Sequence, residues 1–277
     1  MSTGRLLRSE LRLVFGRRRN QVLLVVTALF PVAIGIALRV AAPHGGAESS
    51  GPNQAPVLYN QLAGNGVFLS FVALSTLLLL VLPIVVTVVA GDSIAGEAGY
   101  GTLRYLLTVP AGRVRLLGTK LATAVIFALA ATVIVSVVAL IVGLILFPVG
   151  PVTLLSGATV SLSAGLGRLA LSTLYVAAAM AMLAALGLAV STLTEHALAA
   201  IAGLVVAVVT SEVADSIPQL APIAPYLPTH WWLSFDAFLR APADTGTVVK
   251  GLASFGVYLV LAVAFAWARF TTADVTS

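Results

Sequence analysis

The chain has 277 residues, 60% of them hydrophobic and only 9% charged, with a net charge of +5. Soluble domains carry about 25% charged residues, so this composition excludes a soluble globular protein. The absence of cysteine excludes disulfides, thiolate metal sites and cysteine nucleophiles.

Uncharged runs of about 20 residues match the length needed to cross a bilayer's hydrocarbon core. They lack the period-2 alternation of a membrane β-barrel. The basic residues lie at the ends of the apolar runs, where they set membrane orientation. They are not a nucleic-acid signal. The N-terminus does not read as a cleavable signal peptide, because its basic region is too long and no convincing small-residue site follows.

Residues 3–19 come first. At 100° per residue Arg5, Arg8, Arg12 and Arg19 share one narrow face, and Leu7, Leu11 and Val14 share another. This predicts an amphipathic helix in the membrane interface, its basic side towards lipid phosphates. The first span covers 21–40, with Pro31 as a possible kink and Arg39 at the far end snorkelling outward. Residues 41–61 are rich in Gly, Pro, Ser and Asn and read as an external loop. The second span covers 67–90, with Pro83 near its inner end.

A polar segment, residues 91–120, follows: GDSIAGEAGYGTLRYLLTVPAGRVRLLGTK. Gly96, Gly99 and Gly101 permit sharp turning just after the span. Thr102 is placed to cap a short helix by accepting a backbone N–H one turn on. Pro110 stops that helix near Val109. Two turns of helix are too short to stand alone in water. Leu103, Leu106 and Leu107 fall at i, i+3 and i+4, so they form one apolar stripe that has to be buried against something.

The third span covers 121–147. Pro148, Gly150 and Pro151 break it, and an uncharged connection leads to a fourth span at 168–192, beginning at Arg168. Its small residues allow close helix approach in lipid. Thr194, Glu195 and His196 form a tight polar turn before a fifth span at 197–215. Residues 216–244 contain Pro218, Pro222, Pro225, Pro228 and Pro242, with Trp231 and Trp232 between them. No full span fits there, and two short interfacial or re-entrant pieces do; the two tryptophans read as interface anchors. The sixth span covers 247–269. Of the 15 Lys and Arg, only Arg39, Arg168, Arg240 and Lys250 fall on the side opposite the N-terminus. The bias predicts both termini, and the polar segment, in the cytoplasm.

The phrase D-x-I-A-x-E-x-x-x-G-T-L-x-x-L-L-x-x-P, followed by a basic stretch ending G-x-K, resembles the connection between the second and third membrane helices of ABC-2 type transporter permeases. The resemblance implies an all-α integral membrane protein with six membrane helices and an N-terminal interfacial helix. It further implies re-entrant external helices between the fifth and sixth spans. The polar segment would then be a coupling helix that docks on a cytoplasmic ATPase. In that reading Leu103, Leu106 and Leu107 are the apolar contacts, and Gly101 and Thr102 set the turn and cap that Pro110 ends. Glu97 stands at the family's acidic position and pairs with a basic group, on the partner or nearby, such as Arg104. Arg113 and Lys120 stand at its basic positions, or instead only anchor to headgroups. Arg104 occupies a place where the family often has an acid.

The resemblance implies a transport subunit paired with a second copy or a paralogue, with two ATPase subunits beneath it, in the cytoplasmic membrane. ATP and magnesium would be bound by the ATPase. This chain has no G-x-x-x-x-G-K-[ST] phosphate loop, and Gly118-Thr119-Lys120 lacks both the upstream spacing and the following hydroxyl. No cofactor is expected in the chain, no catalytic constellation is present, and it is not expected to be an enzyme. The direction implied is export, and apolar helices suit a hydrophobic drug, an antibiotic or a lipid-like molecule. A scaffold or mechanical-transmission subunit with the same ATPase contact is the alternative. An ion-coupled carrier is disfavoured because no charged residue is predicted near the bilayer midplane.

Overall fold

The computed structural model describes residues 3–41, 65–99 and 113–272. Helices α1 (Thr3–Gly16) and α2 (Arg18–Ala41) come first. Next are α3 (Phe68–Leu78), α4 (Val81–Gly99) and α5 (Arg113–Leu146). A two-stranded hairpin, β1 (Val152–Thr153) and β2 (Thr159–Val160), precedes α6 (Leu162–Ser191) and α7 (Ala197–Asp215). Short 3₁₀ turns at Pro218–Leu220, Ala224–Tyr226 and Trp232–Leu239 lead to α8 (Thr245–Thr272). Among the described residues five helices are long and apolar enough to cross a membrane, six if α3 and α4 count as one bent span. The protein is an all-α, multi-pass integral membrane protein.

Helix α6 lies at the centre. Most of its side chains are buried, among them Tyr175, Met180, Leu183 and Leu188. The core around it joins Phe68, Phe71 and Leu74 of α3, Phe127 of α5, Met180 of α6, and Trp232 and Phe235 of the last 3₁₀ turn. The outward faces stay apolar: Val25 and Leu29 on α2, Leu198 and Val206 on α7, and Val257 and Leu261 on α8 are all exposed. In water these faces would be a liability; in lipid they are the expected surface.

Four sequence expectations are corrected in their bounds. The second span is broken at Leu79–Leu80, and α3 and α4 meet at 55°. Pro83 has no N–H for the Leu79 carbonyl, and its ring crowds that carbonyl, so the helix opens one turn upstream of the proline. The ladder resumes with the Ile84 amide donating to Leu80 at 3.1 Å. Helix α4 does not stop at residue 90 but runs to Gly99, because charged side chains end a membrane span without ending a helix. Helix α5 likewise begins at Arg113 rather than 121. Helix α6 begins at Leu162, six residues before Arg168, because the Ser161 hydroxyl caps it by accepting the Ala164 amide. Arg168 instead donates to the carbonyls of Phe238 and Arg240 at 2.5 and 2.8 Å.

The connection 148–161 forms the small hairpin, registered Val152↔Val160 and Thr153↔Thr159, and Gly157 supplies its left-handed turn at φ +81°. Near the same end, the backbones of Gly66 and Gly143 touch. A Cβ on Gly143 would lie 2.1 Å from the Gly66 carbonyl oxygen, so α5 meets the approach to α3 only because both residues lack side chains.

Helix α1 closes at Gly16. Asn20 and Gln21 donate from their side-chain amides to the carbonyls of Val14 and Phe15 at 2.8 and 3.0 Å. Those carbonyls would otherwise be left open at the helix end. Arg5, Arg8 and Arg12 are exposed as expected, but Arg19 is not on their face. It belongs to α2 and reaches across to Asp92 of α4. Phe15 packs on Phe127 of α5 with ring centroids 5.5 Å apart, so α1 is seated on the bundle.

Candidate functional site

The polar ends of α1, α2, α4 and α5 meet at one end of the bundle. Arg17 Nη1 and Arg19 Nη2 both donate to the same Asp92 oxygen, each at 2.7 Å. The Asp92 side chain is 10% exposed and each arginine 46% exposed. One helical turn further along α4, Glu97 Oε1 accepts from Lys120 Nζ at 2.7 Å. Glu10 of α1 brings a second carboxylate to 3.7 Å from the same ammonium. The Lys120 side chain is 3% exposed and that of Glu10 9%. A cavity of about 30 Å³ lies between these groups, lined by Glu10, Arg17, Arg19, Asp92, Glu97 and Lys120. That is room for a water molecule.

Apolar packing and one hydroxyl hold the frame from beneath. Ile94 of α4 and Leu116 and Leu117 of α5 bury against Leu188 and Ala189 of α6 and Ala262 and Ala266 of α8. The Ser191 hydroxyl, at the end of α6, donates to the Gly91 carbonyl at 2.8 Å and accepts the amides of Ile94 and Ala95 at 3.1 and 2.8 Å. It inserts into the α4 ladder just where the apolar span gives way to the charged turn. Both flanks of the segment 100–112 are therefore fixed to each other, to the N-terminal helices and to the bundle.

Of the residues singled out in the sequence, Glu97 and Lys120 are brought together here. Lys120 is buried in an ion pair, which corrects the headgroup-anchor alternative, and it is a nearby basic partner of Glu97. Arg113 is the first residue of α5. Gly101, Thr102, Leu103, Arg104, Leu106, Leu107 and Pro110 lie outside the described residues. Sequence reasoning missed Glu10, Asp92 and Ser191 as members of a site, counted Arg17 only as an orienting charge, and placed Arg19 on the basic face of the interfacial helix. A signal was present for two of them. Glu10 is the one acid in α1, and Asp92 directly follows a long apolar run, where a carboxylate needs a counter-charge.

The other end of the bundle carries a different cluster. His230 Nδ1 lies 2.5 Å from Asp215 Oδ1, and the hydroxyls of Ser211 and Thr229 lie 2.8 Å apart. Tyr175 donates to the Trp231 carbonyl at 2.7 Å, and Trp231 Nε1 donates to the Pro225 carbonyl at 3.0 Å. These bonds fasten the proline-rich stretch to α6 and α7. Trp232 is fully buried in the core, so it is packing and not an interface anchor. Among the described residues no group of three or more His, Asp or Glu is arranged to hold a metal.

The family described as ABC-2 family transporter protein matches residues 17–211. The chain belongs to the ABC-2 family. The match begins at Arg17 and so takes in every residue of the polar cluster except Glu10. It ends at Ser211, before the proline-rich stretch and α8. No curated protein gives a significant match to the chain. As an ABC-2 transporter chain it is a membrane transport component, and the family implies partnership with ABC ATPase subunits.

Proposed function

We propose that this chain is the permease subunit of an ABC exporter, and that separate cytoplasmic subunits hydrolyse ATP while docked on the segment between α4 and α5. The observation that supports this most is the 2.7 Å pair between Glu97 and Lys120. In an ABC-2 chain it ties together the two flanks of the segment carrying Gly101, Thr102, Leu103, Leu106 and Leu107. A docking element transmits work only if its contacts differ between the partner's states, and only if its base does not yield first. The buried charges, Ser191 and the apolar packing supply that stiff base. Two permease chains, identical or paralogous, pair over two ATPases, with both termini and the docking segment on the cytoplasmic side of the cell membrane. The apolar interior suits a hydrophobic drug, an antibiotic or a lipid-like molecule as cargo.

Co-purification tests this reading. The chain is expressed with a candidate ATPase and recovered through a tag on this chain, as wild type and as Leu103→Asp/Leu107→Asp. The ATPase should accompany the wild type and be lost from the double variant, while the variant elutes as a folded species in detergent. Retention of the ATPase by the double variant would place the docking surface elsewhere. Absence of any ATPase with the wild type would remove the permease reading.

A further inference from the structure

Asp92 receives more positive charge than a carboxylate needs. One guanidinium would neutralise it, yet Arg17 Nη1 and Arg19 Nη2 both donate to its Oδ2, each at 2.7 Å. The three groups together keep a formal charge of +1. Arg18, between the two arginines in sequence, is exposed. The acids that share the cavity with them, Glu10 and Glu97, lie against Lys120.

A missing side chain sets the place of the carboxylate. Asp92 and Gly96 are one helical turn apart on α4. A Cβ on Gly96 would lie 3.0 Å from Asp92 Cγ and closer still to Oδ1. Glycine here lets the buried carboxylate lie along α4 and meet both arginines. A guanidinium carries five N–H donors in a planar fork. Arg17 uses one on Asp92; Arg19 uses one there and another on Asn20 at 3.4 Å. Both side chains stay half-exposed, so two forks are held at one point with most of their donors left for an outside acceptor. Paired guanidiniums of this kind suit a phosphate.

An apolar track runs on from the forks. The first span begins at Arg18, which puts the arginines at headgroup level. At 100° per residue Arg18 stands over Val22, Val25 and Leu29, and Arg19 stands over Val26. All four apolar side chains are exposed. Cations above an exposed apolar strip match an amphiphile with a phosphate at its head, and not a free phosphate ion. A zwitterionic lipid brings its own ammonium, which a site of charge +1 repels; an anionic lipid does not.

We propose that Arg17 and Arg19, aimed by Asp92 lying over Gly96, bind the phosphate of an anionic phospholipid such as phosphatidylglycerol. Arg18 stands beside the headgroup, and an acyl chain follows Val22, Val25 and Val26 of α2. This is a defined site, separate from the diffuse attraction of Arg5, Arg8 and Arg12 on α1. It rests on the chain spanning a membrane and not on the ATPase reading.

Native mass spectrometry of the full chain tests it, with phosphatidylglycerol or phosphatidylcholine titrated into the detergent and no ATPase present. The parent should take up a first phosphatidylglycerol in preference to phosphatidylcholine. Arg17→Gln and Arg19→Gln each leave Asp92 one guanidinium. Each should weaken that first lipid by about tenfold or more, the effect of losing a charge-assisted bond. Gly96→Ala keeps every charge but displaces the Asp92 carboxylate, and should weaken it too. The Arg5→Gln/Arg8→Gln/Arg12→Gln variant removes three charges elsewhere and should change it much less. If a Gln variant fails to fold, Arg17→Lys or Arg19→Lys keeps the charge, loses the fork and should shift binding in the same direction. Equal affinity for the two lipids would overturn the proposal. So would parent affinity in Gly96→Ala, or a loss in the α1 triple variant as large as in Arg17→Gln and Arg19→Gln. None of these results bears on co-purification of an ATPase, so the two readings fail separately.

Discussion

Lys120 and Glu97 stand 23 positions apart in sequence and 2.7 Å apart in space. Between them lies the segment that the ABC-2 reading assigns to the ATPase. The pair therefore sets the separation of the two helices that enter and leave it. The Lys120 side chain is 3% exposed and that of Glu97 16%, so bulk water competes only weakly for the pair.

Removing the lysine should be costly. Lys120→Met leaves Glu97 and Glu10 facing each other in a nearly dry site, and breaking a buried pair from one side costs about 3–5 kcal/mol. Thermal denaturation in detergent should show a large drop for Lys120→Met. The Lys120→Met/Glu97→Gln/Glu10→Gln combination, which removes the two facing carboxylates together with the lysine, should recover most of it. A triple variant as unstable as the single one would mean that packing, and not charge, holds the site.

Ser191 should protect the charged turn of α4 from opening. Its hydroxyl serves one carbonyl and two amides there, and leaving buried backbone groups unsatisfied costs about 1–3 kcal/mol. Ser191→Ala should speed hydrogen exchange at Ile94 and Ala95 while leaving amides in the middle of α6 unaffected. Ser191→Thr, which keeps the hydroxyl, should lie closer to wild type.

The contact between Gly66 and Gly143 admits no side chain. Gly143→Ala has to push α5 away from α3, and overpacking of this kind costs about 1–3 kcal/mol. Gly118→Ala, with nothing within 4 Å, should be neutral or stabilising by up to about 1 kcal/mol through helix propensity. Melting temperatures of the two variants should fall on opposite sides of, or at least well apart around, the parent value.

One pH effect has a clear sign. The Thr247 hydroxyl, and then the Thr247 amide, hold the Asp244 carboxyl below the usual carboxylate range. A lowered carboxyl contributes stability above its unfolded value and loses it as pH falls through its folded value. Protection of the first-turn amides of α8 should therefore be flat near neutrality and decline in acid. Asp244→Asn should abolish that decline.

The spans were readable because their length and apolarity are dictated by the bilayer, and α1 was readable from the angular grouping of Arg5, Arg8 and Arg12. Where hydropathy changes was mistaken for where helices end. Asp92 and Glu97 leave the apolar span, yet α4 continues through both, since its backbone bonds do not depend on side-chain polarity. Pro83 was visible, but a proline acts on the carbonyl four residues before it, and only the packing decides whether the helix bends or breaks. The pairings of Asp92 with Arg17 and Arg19 bridge 75 and 73 positions. No local pattern encodes such contacts; they arise when α6 gathers the helices around itself. Glu97 and Lys120 could be selected in advance only because the motif between them resembles a family.

The most direct test of the account is site-specific photocrosslinking in cells. A photoreactive amino acid is placed at Leu106 in the apolar stripe and, as a control, at Gly157 in the hairpin at the opposite end of the bundle. The account predicts that Leu106 captures a nucleotide-binding subunit and that Gly157 does not. Capture from Gly157 and not from Leu106, or no ATPase captured at Leu106 in membranes where the chain is folded and its transport partner is present, would contradict it.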